Sequence, residues 1–156
     1  MQGVGRLYLD TNVFIAAFEA EGVVAEKAAK LISEAKAKPQ KSLVTSEMTL
    51  AELLVLPFRR SDLSLVEFYS GLLSSGGTVD LRPADRDIFL LSARLRSEIS
   101  ALKLPDAVHL ATAMLSGCTH ILTADKGIRP VGRLDYPIIL RPDEPTLISL
   151  IESFAP

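Results

Sequence analysis

The chain holds a single cysteine, Cys118, which excludes an internal disulfide framework and any cysteine cluster for zinc. That suits a reducing cytoplasm, with Cys118 read as a buried small hydrophobe. There is no run of about 18 or more apolar residues, and no basic segment followed by a long apolar core ahead of the first strand, so neither membrane insertion nor secretion is expected. Positive charge is short as well: 17 Lys and Arg face 19 Asp and Glu, a net of -2. Binding nucleic acid through a global positive field is thereby excluded, and any such site must be local. Arg59, Arg60, Arg82, Arg86, Arg94, Arg96, Arg129, Arg133 and Arg141 are enough for a phosphate-binding rim. On helices such charges serve equally as a solvated face. What is present is ordinary for a globular protein, 48% hydrophobic and 23% charged. At 156 residues the chain is read as one domain, 1–156, large enough to bury roughly two thirds of its unfolded surface.

The organising stretch is Arg6-Leu7-Tyr8-Leu9-Asp10-Thr11-Asn12. A short apolar run of strand length stops at three polar residues, and Val13, Phe14, Ala17 and Phe18 follow at helical spacing. Asp10 therefore stands at the end of a first strand, where side chains of an open parallel sheet converge on a ligand crevice. Asp10 or Thr11 equally fits a plain helix cap. Further on, Val24, Ala28, Leu31, Ile32 and Ala35 predict a helix from about Val23 to Ala37, ended by Pro39. Leu43–Ser46 reads as a second strand, with Ser46 capping a helix that holds Met48, Ala51, Glu52 and Val55. Ser64 to Glu67 fits a capping box, and Leu65, Phe68, Tyr69, Leu72 and Leu73 form an apolar stripe before Ser74-Ser75-Gly76-Gly77. That stripe can bury in the core or against a second copy of the chain, and a homodimer is expected.

Thr78–Leu81 reads as a third strand, and Pro83 as the start of a helix with Ile88, Leu91, Leu95 and Ile99 on its buried side. The helix from Asp106 to Ser116 is apolar almost all round and should be buried on most sides, with Gly117 as its stop. His120–Thr123 and Pro137–Leu140 make a fourth and a fifth strand, and Leu147, Ile148, Leu150, Ile151 and Phe154 a last helix. Strands alternating with helices give an α/β fold of three layers, a mainly parallel sheet of about five strands with helices on both faces.

Four acids take equivalent places: Asp10 after strand one, Glu52 in the helix after strand two, Asp106 at the start of the buried helix and Asp125 after strand four. Glu52 lies between Leu50, Ala51, Leu53 and Leu54, where a carboxylate is costly unless something binds it. Oxygen ligands without a cysteine or histidine set suit Mg²⁺ or Mn²⁺. Such an ion can activate water and neutralise a phosphodiester oxygen. His109 shares the one polar strip of its helix with Thr112 and Ser116, a turn after Asp106. It either orients a carboxylate or a phosphate, or is an ordinary hydrogen-bonded histidine; it is not expected to ligate metal.

Leu-Asp-Thr-Asn at 9–12, Thr-Leu-Ala-Glu-Leu at 49–53, Leu-Pro-Asp-Ala-Val-His-Leu-Ala-Thr-Ala at 104–113 and Ile-Leu-Thr-Ala-Asp at 121–125 together resemble the PIN-domain ribonucleases, above all the VapC-like toxins. The resemblance covers nearly the whole chain, with the four motifs in order. It implies a PIN-like fold, with Asp10, Glu52, Asp106 and Asp125 as catalytic, metal-binding acids for Mg²⁺ or Mn²⁺. It also implies Asn12, Thr11 and Thr123 as support or substrate contacts, endonucleolytic cleavage of RNA, and a cognate antitoxin as partner. The chain departs from the family pattern at Ala124, where Asn is common, and at Ile128, where an aromatic is. Two rivals are weighed. A haloacid-dehalogenase-type phosphatase also has an Asp after strand one, but needs a second Asp where this chain has Asn12. A catalytically inactive PIN-like module that only binds RNA or protein would not need all four acids.

Overall fold

A computed structural model describes residues 3–35, 42–130 and 135–155. Among these residues, five strands form one sheet in the order β3-β2-β1-β4-β5, every pairing parallel. The strands are β1 (Arg6–Leu9), β2 (Leu43–Ser46), β3 (Val79–Arg82), β4 (Cys118–Leu122) and β5 (Ile138–Leu140). The helices are α1 (Thr11–Glu19), α2 (Val23–Glu34), α3 (Glu47–Arg60), α4 (Leu63–Leu72), α5 (Arg86–Glu98), α6 (Leu104–Leu115) and α7 (Glu144–Phe154).

Alternation along the strands splits the core in two. Leu7, Leu9, Leu43 and Leu122 point into one apolar cluster with α1, α2, α4 and α7, whereas Tyr8, Val44 and Ile121 point into the other with α5 and α6. The period of two along a strand thus makes both faces apolar, and both must be covered. The three-layer expectation holds. Because β1 is central, with β2 on one side and β4 on the other, the chain reverses its direction of winding between β1 and β4. In such sheets the crevice opens outside the carboxyl ends of those two strands. Asp10 and Thr123 stand there.

Several boundaries differ from the sequence reading. Helix α4 starts at Leu63, not after a Ser64 cap: Ser61 takes a left-handed conformation with φ 54° at the end of α3. That turn brings Asp62 round to accept the Leu65 N–H at 3.1 Å. Pro83 precedes α5 rather than opening it; Asp85 caps it by accepting the Ile88 N–H at 3.1 Å. Ser46 occupies the cap position of α3, yet its hydroxyl makes no capping bond. Val24 is exposed, so the buried face of α2 is Ala25, Ala28, Leu31 and Ile32. The expected end of α2 at Ala37 and Pro39 lies outside the described residues, as does Arg133. The α4 stripe is divided: Tyr69 and Leu73 are buried, and Phe68 is 42% exposed. Cys118 is buried, and burial pushes its thiol up to about 12. In α6 every residue from Asp106 to Ala113 is buried.

Candidate metal centre and active site

Asp10 caps α1, but capping uses only one of its oxygens. Oδ1 accepts the Thr11 N–H at 2.7 Å, while Oδ2 accepts the Asn12 side-chain N–H at 2.7 Å and the Thr123 hydroxyl. With 4% exposure, a carboxylate held by three donors is an aimed group, more than a helix cap requires. Asn12 also accepts the Ala124 N–H at 2.9 Å, and Thr123 Oγ1 accepts the Asp125 N–H at 2.9 Å. The carboxyl ends of β1 and β4 are thus laced together by side chains. Asn12, where the rival phosphatases need a second acid, is used up in this lacing.

Glu52 reaches the same crevice from α3. Its Oε2 accepts the Thr11 hydroxyl and lies 2.9 Å from His109 Nε2. His109, on α6, also places Nε2 3.5 Å from Asp10 Oδ1, and its Nδ1 is 2.8 Å from the Tyr8 hydroxyl. One ligand atom each from Asp10, Glu52 and His109 lies within 4.8 Å of the others. That is the spacing of groups able to share one cation. His109 is only 2% exposed, so the reading of it as an ordinary histidine gives way to a central place between two acids. Its signal was in the sequence: it sits three residues after Asp106, the helical spacing that puts two side chains on one face.

Asp106 and Asp125 meet at Gly127. A Cβ added there would lie 2.7 Å from Asp106 Oδ2 and 3.1 Å from Asp125 Oδ1. The Gly127 N–H donates to Asp125 Oδ1 at 2.7 Å. Only a residue without a side chain lets the backbone come so close to both carboxylates.

The titration behaviour follows from this crowding. Burial, then the charges of Asp125 and Asp10, raise the Asp106 carboxyl above its ordinary value. Burial would also raise Glu52, but hydrogen bonds from His109 and Thr11 and the His109 charge hold it below the usual range. Burial would lower His109, but the Glu52 bond and the charges of Asp10, Glu52 and Asp106 hold it high. In its charged form both ring N–H groups donate, one to Tyr8 and one to Glu52. Burial pushes the Tyr8 phenol up, so it stays neutral. Two like charges about 5 Å apart repel by roughly 3 kcal/mol at an effective dielectric near 20. The dipole at the start of α6 returns only about 0.3–1 kcal/mol to Asp106. The net shift of Asp106 is upward, so burial and the neighbouring carboxylates outweigh that dipole, and a cation beside these oxygens would relieve the crowding. Of the residues expected at the site, Asp10, Thr11, Asn12, Glu52 and Thr123 form one bonded group with His109; Asp106 and Asp125 stand outside that group and meet each other at Gly127, with the Asp125 N–H bonded to Thr123. The donors are carboxylate oxygens, a set that fits Mg²⁺ or Mn²⁺, and His109 Nε2 would join them only from a neutral ring that gives up its bond to Glu52.

No curated protein sequence matches the chain significantly. Among solved structures, a toxin–antitoxin complex from Klebsiella pneumoniae is 25% identical, with 88% of this chain and 98% of that chain covered at a TM-score of 0.60. VapC20 of Mycobacterium tuberculosis, a sarcin–ricin-loop-cleaving toxin, is 19% identical, covering 80% of this chain and 99% of its own at 0.60. VapBC2 of Rickettsia felis, bound to a promoter DNA fragment, is 13% identical, covering 87% and 98% at 0.61. The PIN domain profile matches residues 7–134, from the first core residue of β1 to beyond the Asp125 loop, and by that match the chain belongs to the PIN domain family.

Proposed function

We propose that this protein is a Mg²⁺- or Mn²⁺-dependent endoribonuclease and the toxin of a toxin–antitoxin pair, acting as one domain in the cytoplasm. The observation that carries the reading is the convergence of Asp10, Glu52 and His109 within 4.8 Å, with Asp106 and Asp125 abutting through Gly127. Asp10, Glu52, Asp106 and Asp125 would hold the ion, with His109 Nε2 facing the same place. When bound, the ion supplies Lewis-acid activation of water and neutralises charge on the phosphodiester. The chain's own groups do the positioning. Thr123 and Asn12 lock Asp10 Oδ2, Thr11 and His109 aim Glu52, and burial of Asp10 and Asp106 keeps competing water out.

RNA as substrate is supported by the similarity to a toxin whose target is the sarcin–ricin loop. An antitoxin partner is supported by the toxin–antitoxin complexes among the similar structures. An acidic crevice suits a partner segment bearing Arg or Lys, which would compete with metal there. Exposed Phe58, Leu63 and Phe68 at the α3–α4 hairpin are suited to burial in a homodimer. Among the described residues, no helix is long and apolar enough to cross a membrane.

The test is cleavage of single-stranded and loop RNA in Mg²⁺ or Mn²⁺, with and without EDTA, beside Asp10→Asn. Asparagine still caps α1, so a folded variant slowed about 100-fold or more is expected, and EDTA should stop the wild type. Full activity in EDTA, with contaminating nuclease excluded, would refute the metal mechanism.

A further inference from the structure

Arg141 lies one residue past β5, beyond the segment that matches the PIN domain profile, which ends at residue 134. Among the described residues, its guanidinium pairs with no carboxylate. Instead, Nη1 donates to the Thr123 carbonyl at 3.0 Å and to the Asp125 carbonyl at 2.6 Å, and Nη2 donates to the Ile128 carbonyl at 3.0 Å. All three acceptors belong to the single loop that carries Asp125 and Gly127. Thr123 is the residue whose hydroxyl also binds Asp10. Ile128 is buried at the far end of the loop, so the guanidinium ties the start, the middle and the anchored end to one rigid plane.

We propose that Arg141 is the positioning residue for Asp125, its planar fork setting the curvature of the 123–128 loop and thereby the placement of the Asp125 carboxylate beside Asp106. Only arginine carries fixed, coplanar donors that can take three carbonyls at once. A lysine ammonium brings the charge without the plane. The consequence for metal rests on the nuclease reading above; the consequence for the loop does not.

Two measurements separate these. The first is limited trypsinolysis in EDTA, following by mass spectrometry the cut between Lys126 and Gly127, an exposed site inside the clamped loop. Arg141→Met should be cut there about tenfold faster than wild type, since loss of the clamp lowers the cost of local opening; an unchanged rate would overturn the proposal. The second is Mn²⁺ affinity by titration calorimetry. Arg141→Met should weaken it about tenfold, the usual effect of losing a group that orients a ligand. In an Asp125→Asn background the same substitution should cost less than about twofold, because the carboxylate it positions is already gone. Equal losses in both backgrounds, or full recovery by Arg141→Lys, would overturn the positioning role in favour of a general structural or electrostatic one. A wild type that neither binds Mn²⁺ nor cleaves RNA would defeat the nuclease reading instead, while the proteolysis comparison still decides the clamp.

Discussion

Replacing His109 with leucine tests the electrostatic account of the site most directly, because one buried ring joins Tyr8, Glu52 and Asp10. Leucine nearly fills the space, so the cost comes from lost polar partners and little from a cavity. The Tyr8 hydroxyl is fully buried, and a buried hydroxyl without a partner costs about 1–3 kcal/mol. The bond to the Glu52 carboxylate adds about 1.5–3 kcal/mol when one partner is charged. Both figures need discounting: Glu52 is 34% exposed and can rehydrate, and hydroxyls of Ser46 and Thr49 lie close to Tyr8. The net expectation is a loss of about 2–3 kcal/mol, a drop in Tm of about 4–12 °C for a chain of this size.

The pH dependence is the sharper part. His109 titrates above its ordinary 6.5, so its contribution is complete below that value and is lost as pH rises through the raised folded value. Glu52 titrates below its ordinary 4.5, so its contribution is present above that value and is lost as pH falls through the lowered one. The gap between wild type and His109→Leu should therefore be widest near about pH 5–6 and narrow toward about pH 9, where the imidazole is neutral and only its uncharged N–H faces the Glu52 carboxylate. Urea melts in EDTA across that range measure it. A gap that stays constant or widens at alkaline pH would refute the reasoning.

Asp106→Asn removes one charge from a crowded carboxylate whose ionised form is disfavoured by burial and by Asp125 and Asp10. In EDTA at neutral pH it should melt no lower than wild type, and it should lose most of the stabilisation that Mg²⁺ gives by binding only the native state; a variant destabilised by about 0.3–1 kcal/mol with a full metal response would mark Asp106 as a mere helix N-terminal residue. Gly127→Ala places a methyl 2.7 Å from Asp106 Oδ2 and 3.1 Å from Asp125 Oδ1, so the two acids must part. Calorimetry should find Mn²⁺ affinity lower by about tenfold, with the melt in EDTA little changed because Gly127 lies in an exposed turn; wild-type affinity would show that these two carboxylates do not act together.

The local pattern of residues was sufficient for the architecture. Short β-prone runs ending in polar residues, each followed by a 3.6-period apolar stripe, admit little besides a parallel sheet covered on both faces, because such strands have no polar side to leave in water. The acids were legible for the same reason, since Asp10 and Asp125 end apolar runs, and Glu52 and Asp106 interrupt apolar helices that would otherwise reject a charge. Helix starts were less legible. Asp62 and Ser64 are both good caps, and a left-handed turn at Ser61, immediately before Asp62, decided between them.

Only the tertiary structure decided how the acids are grouped. Which oxygens converge depends on where α3, α6 and the 123–128 loop sit over the ends of β1 and β4, and side chains from 41 to 113 residues apart make those contacts. His109 shows the difference. Its place on a polar strip could be read from spacing, but its role between Glu52 and Asp10 exists only because α6 packs under β1 and Tyr8 reaches it from the strand. The sequence offered Arg141 only as one of a set of arginines fit for a phosphate-binding rim or a solvated face, and its hold on the 123–128 loop was beyond sequence reasoning. Its three partners are backbone carbonyls, which every residue carries, so no side-chain pattern marks the loop that it holds.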